Sequence, residues 1–269
     1  MLFLAIYGII IFAYRGYTRQ FFEIPLLTTN ISDYGILDEK CNNRGLFSKL
    51  ISTYNNGNLY GACLIMALPL YCYLEKRTWP RWIVKLSFLL TLSRTVWFGL
   101  FMHEMLYRLT LSKNKASAIL GIVGTFVLFA ILLYAIALSI GFSIAFFFDE
   151  KLGGRDVQLE GLSDIGLFSN EPFNVIYEVI YAGVAHSFGW IGLIAFLIAM
   201  CLPLLLRVAS TAKLSPIHLT ISIGLINYFV ISLSDGAILY LPTMVFFWFF
   251  QSLLFRNNFH SEKLAACPF

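Results

Sequence analysis

The sequence predicts an all-α, polytopic membrane protein: a single integral membrane domain spanning residues 1–269, with about eight transmembrane helices and one large outward-facing loop. Three observations carry the prediction. The chain is 59% hydrophobic and only 13% charged, whereas a soluble domain holds about 25% charged residues and about 45–50% apolar ones. Its apolar residues fall in runs long enough to cross a hydrocarbon layer, which takes roughly 20 residues of helix. Whole runs also lack the polar face that water would demand, so lipid must be part of the solvent. Helix is the expected spanning form, because inside lipid every backbone polar group has to be paired within its own segment.

The first helix is expected at 2–14. A signal peptide there would need a basic start and a small-residue cleavage site, and Met1 to Tyr14 has neither. Its shortness raises the expectation of a truncated N-terminus. Further helices are predicted at 59–74, 82–91, 96–111, 116–142, 187–206, 217–233 and 237–255, with long polar breaks at 15–58 and 143–186. The stretch 82–111 has two readings: one helix centred on Arg94, or two short helices turning at Ser93-Arg94-Thr95. A lone arginine at the bilayer centre costs at least ~2.5 kcal/mol, which disfavours the single helix unless Arg94 faces a polar cavity.

Lysine and arginine in the loops set the orientation. Arg108, Lys113 and Lys115, then Arg207 and Lys213, then Arg256 and Lys263 fall on one side, taken as cytoplasmic. The loop 143–186 then faces outward. It holds Asp149, Glu150, Asp156, Glu160, Asp164, Glu171 and Glu178 against Lys151 and Arg155. The first half is ambiguous: with two short helices, the basic segment 15–58 lies outside, against the rule, and with one helix it lies inside.

Four places could carry chemistry. Arg94, in an otherwise apolar stretch, presents a planar fork suited to phosphate or pyrophosphate; a guanidinium snorkelling to headgroups explains it equally well. Arg155 follows Gly153-Gly154, where backbone can approach a ligand closely, though an ordinary surface ion pair is the more common outcome. Glu178 is placed to act as a general base near the membrane surface, sharing a face with Tyr181 if 172–185 is helical. His186, at the mouth of the next helix, could exchange a proton. Asp235 sits in a tight Ser-Asp-Gly turn that turn chemistry alone accounts for, and His103 and Glu104 read as structural contacts. The scattered cysteines form no metal spacing, so no metal or cofactor is expected, and no basic run suggests nucleic acid. No P-loop, dinucleotide fingerprint, HExxH or nucleophile elbow is present, which removes the soluble hydrolase, kinase and dehydrogenase classes.

Leu90-Thr91-Leu92-Ser93-Arg94-Thr95 resembles the Ser-Arg motif of bacterial O-antigen polymerases and ligases, where an apolar helix ends at the outer face and another begins. Asn55-Asn56-Gly57-Asn58-Leu59-Tyr60-Gly61 is similar to that family's Asn-rich approach to the preceding helix. Gly154-Arg155, then ten residues and Gly166, looks like the Arg-ten-Gly pattern of the polymerases' periplasmic loop, and 178–192 looks like the segment closing it. The resemblance covers roughly 55–255. It departs in helix number, since the family usually has ten or more, and in showing the Arg-ten-Gly pattern once where polymerases often show two.

The resemblance implies a glycosyltransferase of the bacterial inner membrane with its active face in the periplasm. Its substrate would be a repeat oligosaccharide on undecaprenyl pyrophosphate, passed to the next lipid-linked unit, with a chain-length regulator protein as a possible partner. Arg94 and Arg155 would bind pyrophosphate, Glu178 or His186 would be the base, and Gly154 and Gly166 would shape the loop. An O-antigen ligase of the same family and a non-catalytic polysaccharide transporter or flippase are the alternatives. The transporter expects polar residues along a path through the midplane, whereas most of the long helices carry almost no charge at mid-depth.

Overall fold

The computed structural model describes residues 1–24, 27, 37, 43–44, 47–54, 56–112, 114–140, 156–169, 178–210, 215–237 and 240–256. Among these the regular structure is helical, apart from an antiparallel ladder of two residues a side, Asn43–Arg44 (β1) against Phe47–Ser48 (β2). The first helix, α1 (Leu2–Thr18), stops at Arg19 in the left-handed conformation, with the Arg19 N–H closing on the Arg15 carbonyl. The second, α2 (Gly57–Ile65), starts where the Asn56 side chain accepts the Asn58 N–H at 2.8 Å, satisfying one of the donors a helix start leaves open.

The predicted single helix 59–74 is in fact two. The second half is α3 (Leu68–Leu74), bent by 58° from α2 across Met66–Ala67. Pro69 stands in the first turn of α3. It has no N–H for the Ile65 carbonyl and its ring would clash there, so a straight helix through it is costly. The next pair follows the two-helix reading of 82–111: α4 (Thr78–Leu89) and α5 (Arg94–Leu111) are separated by a turn with Leu92 at φ 50°. Polar groups inside the turn are paired locally, Thr91 Oγ1 donating to Phe88 O at 2.7 Å and Trp97 Nε1 to Leu89 O at 2.8 Å.

Then come α6 (Lys115–Ile140), the short α7 (Asp156–Leu159), a 3-10 turn at Leu162–Asp164, and α8 (Ile180–Ala209). The last two helices are α9 (Pro216–Ser232) and α10 (Leu241–Leu254). Helix α8 begins before the predicted start at 187, so 180–186 is helix rather than loop. Glu178 precedes the Val179 N-cap and stands off the helix, not on a shared face with Tyr181.

Helix α9 is the centre of the packing, lying against α2, α3, α5 and α10. It is buried nearly all round, which a helix tolerates only when its polar groups find partners. Asn227 Nδ2 donates to the Gly99 carbonyl of α5 at 2.8 Å. Gly224 lies so close to the α2–α3 break that a Cβ there would sit 2.0 Å from the Met66 carbonyl oxygen. The outer helices behave in the opposite way. Ile119, Leu120, Val123 and Phe126 of α6, and Ile194, Ile198, Leu202 and Leu205 of α8, are all exposed. Apolar surface on that scale marks a membrane or a partner. By length and composition, α8 alone among the described helices is enough to cross a membrane, and α2 with α3, taken as one bent span, would make two.

The helices alternate so that the bundle has two chemically different ends. At one end lie the start of α4, the end of α5, the start of α6 and the meeting of α9 with α10, where His218 Nε2 contacts the Arg256 carbonyl at 3.0 Å. Arg77, Arg81, Arg108, Lys115, Arg207 and Arg256 collect there. Glu104 of α5, inward of this end, pairs with Lys85 of α4 and with Arg108 Nε at 3.1 Å. In the α3–α4 turn, Arg77 Nε and Nη2 grip both oxygens of Glu75 at 2.9 and 2.8 Å. These hydrogen bonds and the adjacent guanidinium hold the Glu75 carboxyl down at about 2. A carboxylate with a depressed folded pKa supplies its contribution above its unfolded value of ~4.3 and loses it as pH falls toward 2. Arg77→Ala is therefore expected to raise the Glu75 titration, followed by carboxyl carbon NMR, part of the way to the ordinary glutamate range, the residue-77 backbone N–H still donating to Oε1 at 3.0 Å. A titration that stays near 2 in the variant would assign the shift to something other than Arg77.

Candidate functional site

The other end of the bundle gathers the starts of α2, α5, α8 and α10 and the end of α9. Ser93 is the extended N-cap of α5 and Arg94 its first residue, half-buried. The next side chain, Thr95, reaches α9's end, Oγ1 lying 3.2 Å from Ser234 Oγ. Ser234 leads into Asp235-Gly236, and Asp235 is only 5% exposed. Its Oδ2 accepts from Asn58 Nδ2 at 2.8 Å, and Asn58 Oδ1 accepts from Lys49 Nζ at 3.3 Å. Lys49 is itself 4% exposed. It is held beside the α4–α5 turn, where the Leu50 N–H donates to the Leu90 carbonyl at 2.9 Å. A buried ammonium and a buried carboxylate joined through one amide form a network whose members depend on one another.

The loop side is tied to the same place. The Gly236 N–H donates to the Glu178 backbone carbonyl at 3.2 Å, while the Glu178 side chain is exposed. Tyr228 Oη donates to the Gly236 carbonyl at 2.5 Å, and Tyr181 Oη lies 2.5 Å from Ser232 Oγ. The short α7 docks on the start of α8, Gln158 Oε1 accepting the Val179 N–H at 3.0 Å. Further on, α8 is interrupted. Gly189 has φ 76° and ψ −175°, a backbone region open essentially to glycine alone. The break frees two N–H groups, and the loop takes them: Trp190 N donates to Gly166 O and Ile191 N to Leu167 O, each at 3.2 Å. Beyond the break, 190–209 is ~30 Å long at ~1.5 Å per residue, which matches a hydrocarbon core of ~30 Å. Residues 180–188 form a separate short helix, which meets the end of α9 where Tyr181 contacts Ser232.

The residues singled out from the sequence fare differently. Glu178 and Gly166 belong to this end through the backbone bonds just described, and Arg94 through its place between the Ser93 N-cap and Thr95. His186 stands on the short first part of α8, half-buried, beside Gly161, whose position for a Cβ is 3.8 Å from His186 Cε1. Arg155 and Gly154 lie outside the described residues; Asp156, the chain neighbour of Arg155, opens α7. Sequence reasoning passed over Lys49, Asn58 and Asp235. Asp235 carried a signal, an acid between two apolar runs, but its turn position explained it too cheaply. Lys49 carried none.

Chemically, this end offers a half-buried guanidinium at a helix start, a buried ammonium and carboxylate, an exposed carboxylate and an imidazole. No group of histidines, cysteines and acids able to hold a metal ion occurs among the described residues. Compared with known protein families, with curated proteins and with solved structures, the chain matches none.

Proposed function

We propose that the chain is a polytopic glycosyltransferase of the O-antigen polymerase kind. In this reading most of the long helices cross the bacterial inner membrane. The enzyme moves a glycan from undecaprenyl pyrophosphate onto the next lipid-linked repeat unit at the periplasmic face. The observation that carries the reading is the joining of four separate segments at one end of the bundle: the Ser-Arg turn, the Asn-rich approach to α2, the Ser-Asp-Gly turn and the segment leading into α8. The basic residues gathered at the opposite end support the orientation, since cytoplasmic loops are rich in lysine and arginine.

The chemistry is set by the leaving group. As the glycosidic bond breaks, negative charge grows on a pyrophosphate held at the membrane surface, and guanidinium groups aimed there stabilise it. Arg94 and Arg155 take that role. Glu178 or His186 takes the proton from the acceptor hydroxyl, and Gly154 and Gly166 let the loop close on the substrate. The chain-length regulator of the pathway is the expected protein partner.

The test is a chain-length assay in cells that lack their own polymerase but make the matching repeat unit. Expression of this chain is expected to restore long polysaccharide, and Arg155→Ala, expressed to the same level, to leave a single capped unit. Unchanged long chains would remove Arg155 from the mechanism. Restored capping in cells that lack their own ligase instead would indicate the ligase reaction, in which the acceptor is the lipid A core.

A further inference from the structure

Away from the proposed reaction centre, near the basic end of the bundle, a cavity of about 340 Å³ opens between α4, α5 and α6. Away from the basic end its lining is apolar, Leu89, Leu100, Phe101 and the half-exposed Leu128. Its rim is charged. Lys85 and Arg108 stand there with Glu104 between them, Glu104 paired to both. Trp82 stands at the mouth, 60% exposed, with the Lys85 ammonium 5.5 Å from its ring centroid. The Arg108 guanidinium lies over Gly121, so that a Cβ there would meet Nη1; this pins the arginine at the α5–α6 seam. Along α5, Leu100 and Arg108 are separated by ~12 Å at ~1.5 Å per residue, so the cavity runs from a charged mouth to an apolar far end.

We infer that this cavity holds one anionic glycerophospholipid of the cytoplasmic leaflet, its phosphate at Lys85 and Arg108 and one acyl chain along Leu89, Leu100 and Leu128. The inference rests on the membrane reading above but not on the transferase reading. Three features argue for that occupant. The cavity is about the smallest size at which small-molecule sites are found, room for a head and part of one chain. An aromatic ring beside basic residues at the mouth is what a headgroup boundary selects. Charge decides between lipids: against Glu104, the two cations leave one positive charge to spare. A phosphodiester carries one negative charge and balances it. A prenyl phosphate or diphosphate carries more and would crowd Glu104, and a zwitterionic head leaves the surplus uncompensated.

The site is tested by native mass spectrometry of the full chain released from detergent with phosphatidylglycerol, phosphatidylcholine or a polyprenyl phosphate. The chain is expected to retain one phosphatidylglycerol at least tenfold better than the other two. Arg108→Gln, at a partly exposed position, is expected to abolish that preference. Thr125→Trp, which fills the cavity from α6 and removes no charge, is expected to abolish retention with the fold unchanged by circular dichroism. Equal retention of the three lipids, preference for the polyprenyl phosphate, or indifference to both substitutions overturns the site. Release of the chain from membranes by alkaline carbonate overturns the membrane reading and the site together; selectivity lost in a chain that stays in the membrane overturns the site alone.

Discussion

Gly189→Ala is expected to straighten α8 and release the loop segment that seals its break. Two costs act together. The backbone at φ 76°, ψ −175° is strained for any residue with a Cβ, by about 1–3 kcal/mol. The new methyl would also sit 2.4 Å from the Leu167 carbonyl oxygen and 2.7 Å from Phe168 Cα, both backbone atoms with no rotamer to give. The chain's way out is continuous helix, which alanine favours more than any other residue. That route surrenders the bonds from Trp190 and Ile191 to Gly166 and Leu167, each worth about 0.5–1.5 kcal/mol net. Whichever route the chain takes costs about 1–3 kcal/mol, a substantial share of a typical total stability of about 5–15 kcal/mol. Hydrogen exchange reads it directly: protection across 156–169 should fall while that of 195–205 persists. Unaltered exchange over 156–169 and an unaltered Tm would mean the break is not fixed by this glycine.

Under the proposed transferase reading, Arg94→Ala is expected to lower the rate of glycan transfer by roughly 10²–10³-fold, the usual loss when one preorganised donor to a developing anion is removed. Arg94 is the first residue of α5, and a cation at a helix's positive end costs about 0.3–1 kcal/mol rather than contributing. Alanine should help the helix slightly, but Arg94 also has contacts of its own within the fold, so the Tm of the variant is measured beside its rate. Arg94→Lys keeps a charge but loses the planar fork and should fall between the two. With a purified lipid-linked donor, the loss should appear in kcat more than in KM. An alanine variant turning over within twofold of the parent chain would detach Arg94 from the reaction.

The sequence made parts of this architecture legible for reasons that are local. The cost of an arginine at mid-bilayer argued for a turn at Ser93-Arg94-Thr95, and α4 and α5 do separate there. Pro69 was an equally local signal for the α2–α3 break, overlooked because the apolar run continued through it. The interruption at Gly189 had no such signal. A Gly-Trp pair in an apolar run reads as helix, and only the docking of Gly166 and Leu167 from the preceding loop forces the chain out of it. Asp235 was visible as an acid between two apolar runs, but its pairing was not, because its partner Asn58 is 177 positions away and nothing in either neighbourhood announces the other.

The seating of Gly224 on the Met66 carbonyl has a consequence for biosynthesis. The elbow between α2 and α3 has no mould until α9 leaves the ribosome, and the Asn58 amide waits still longer for Asp235. Contacts of such long reach close late, because loop-closure entropy must be met before they return anything. During synthesis the first half must therefore persist as a loosely held intermediate, with Lys49 and Asn58 still lacking the carboxylate they reach in the fold. The order of translation thus leaves this chain most vulnerable to quality control just before its last two helices arrive.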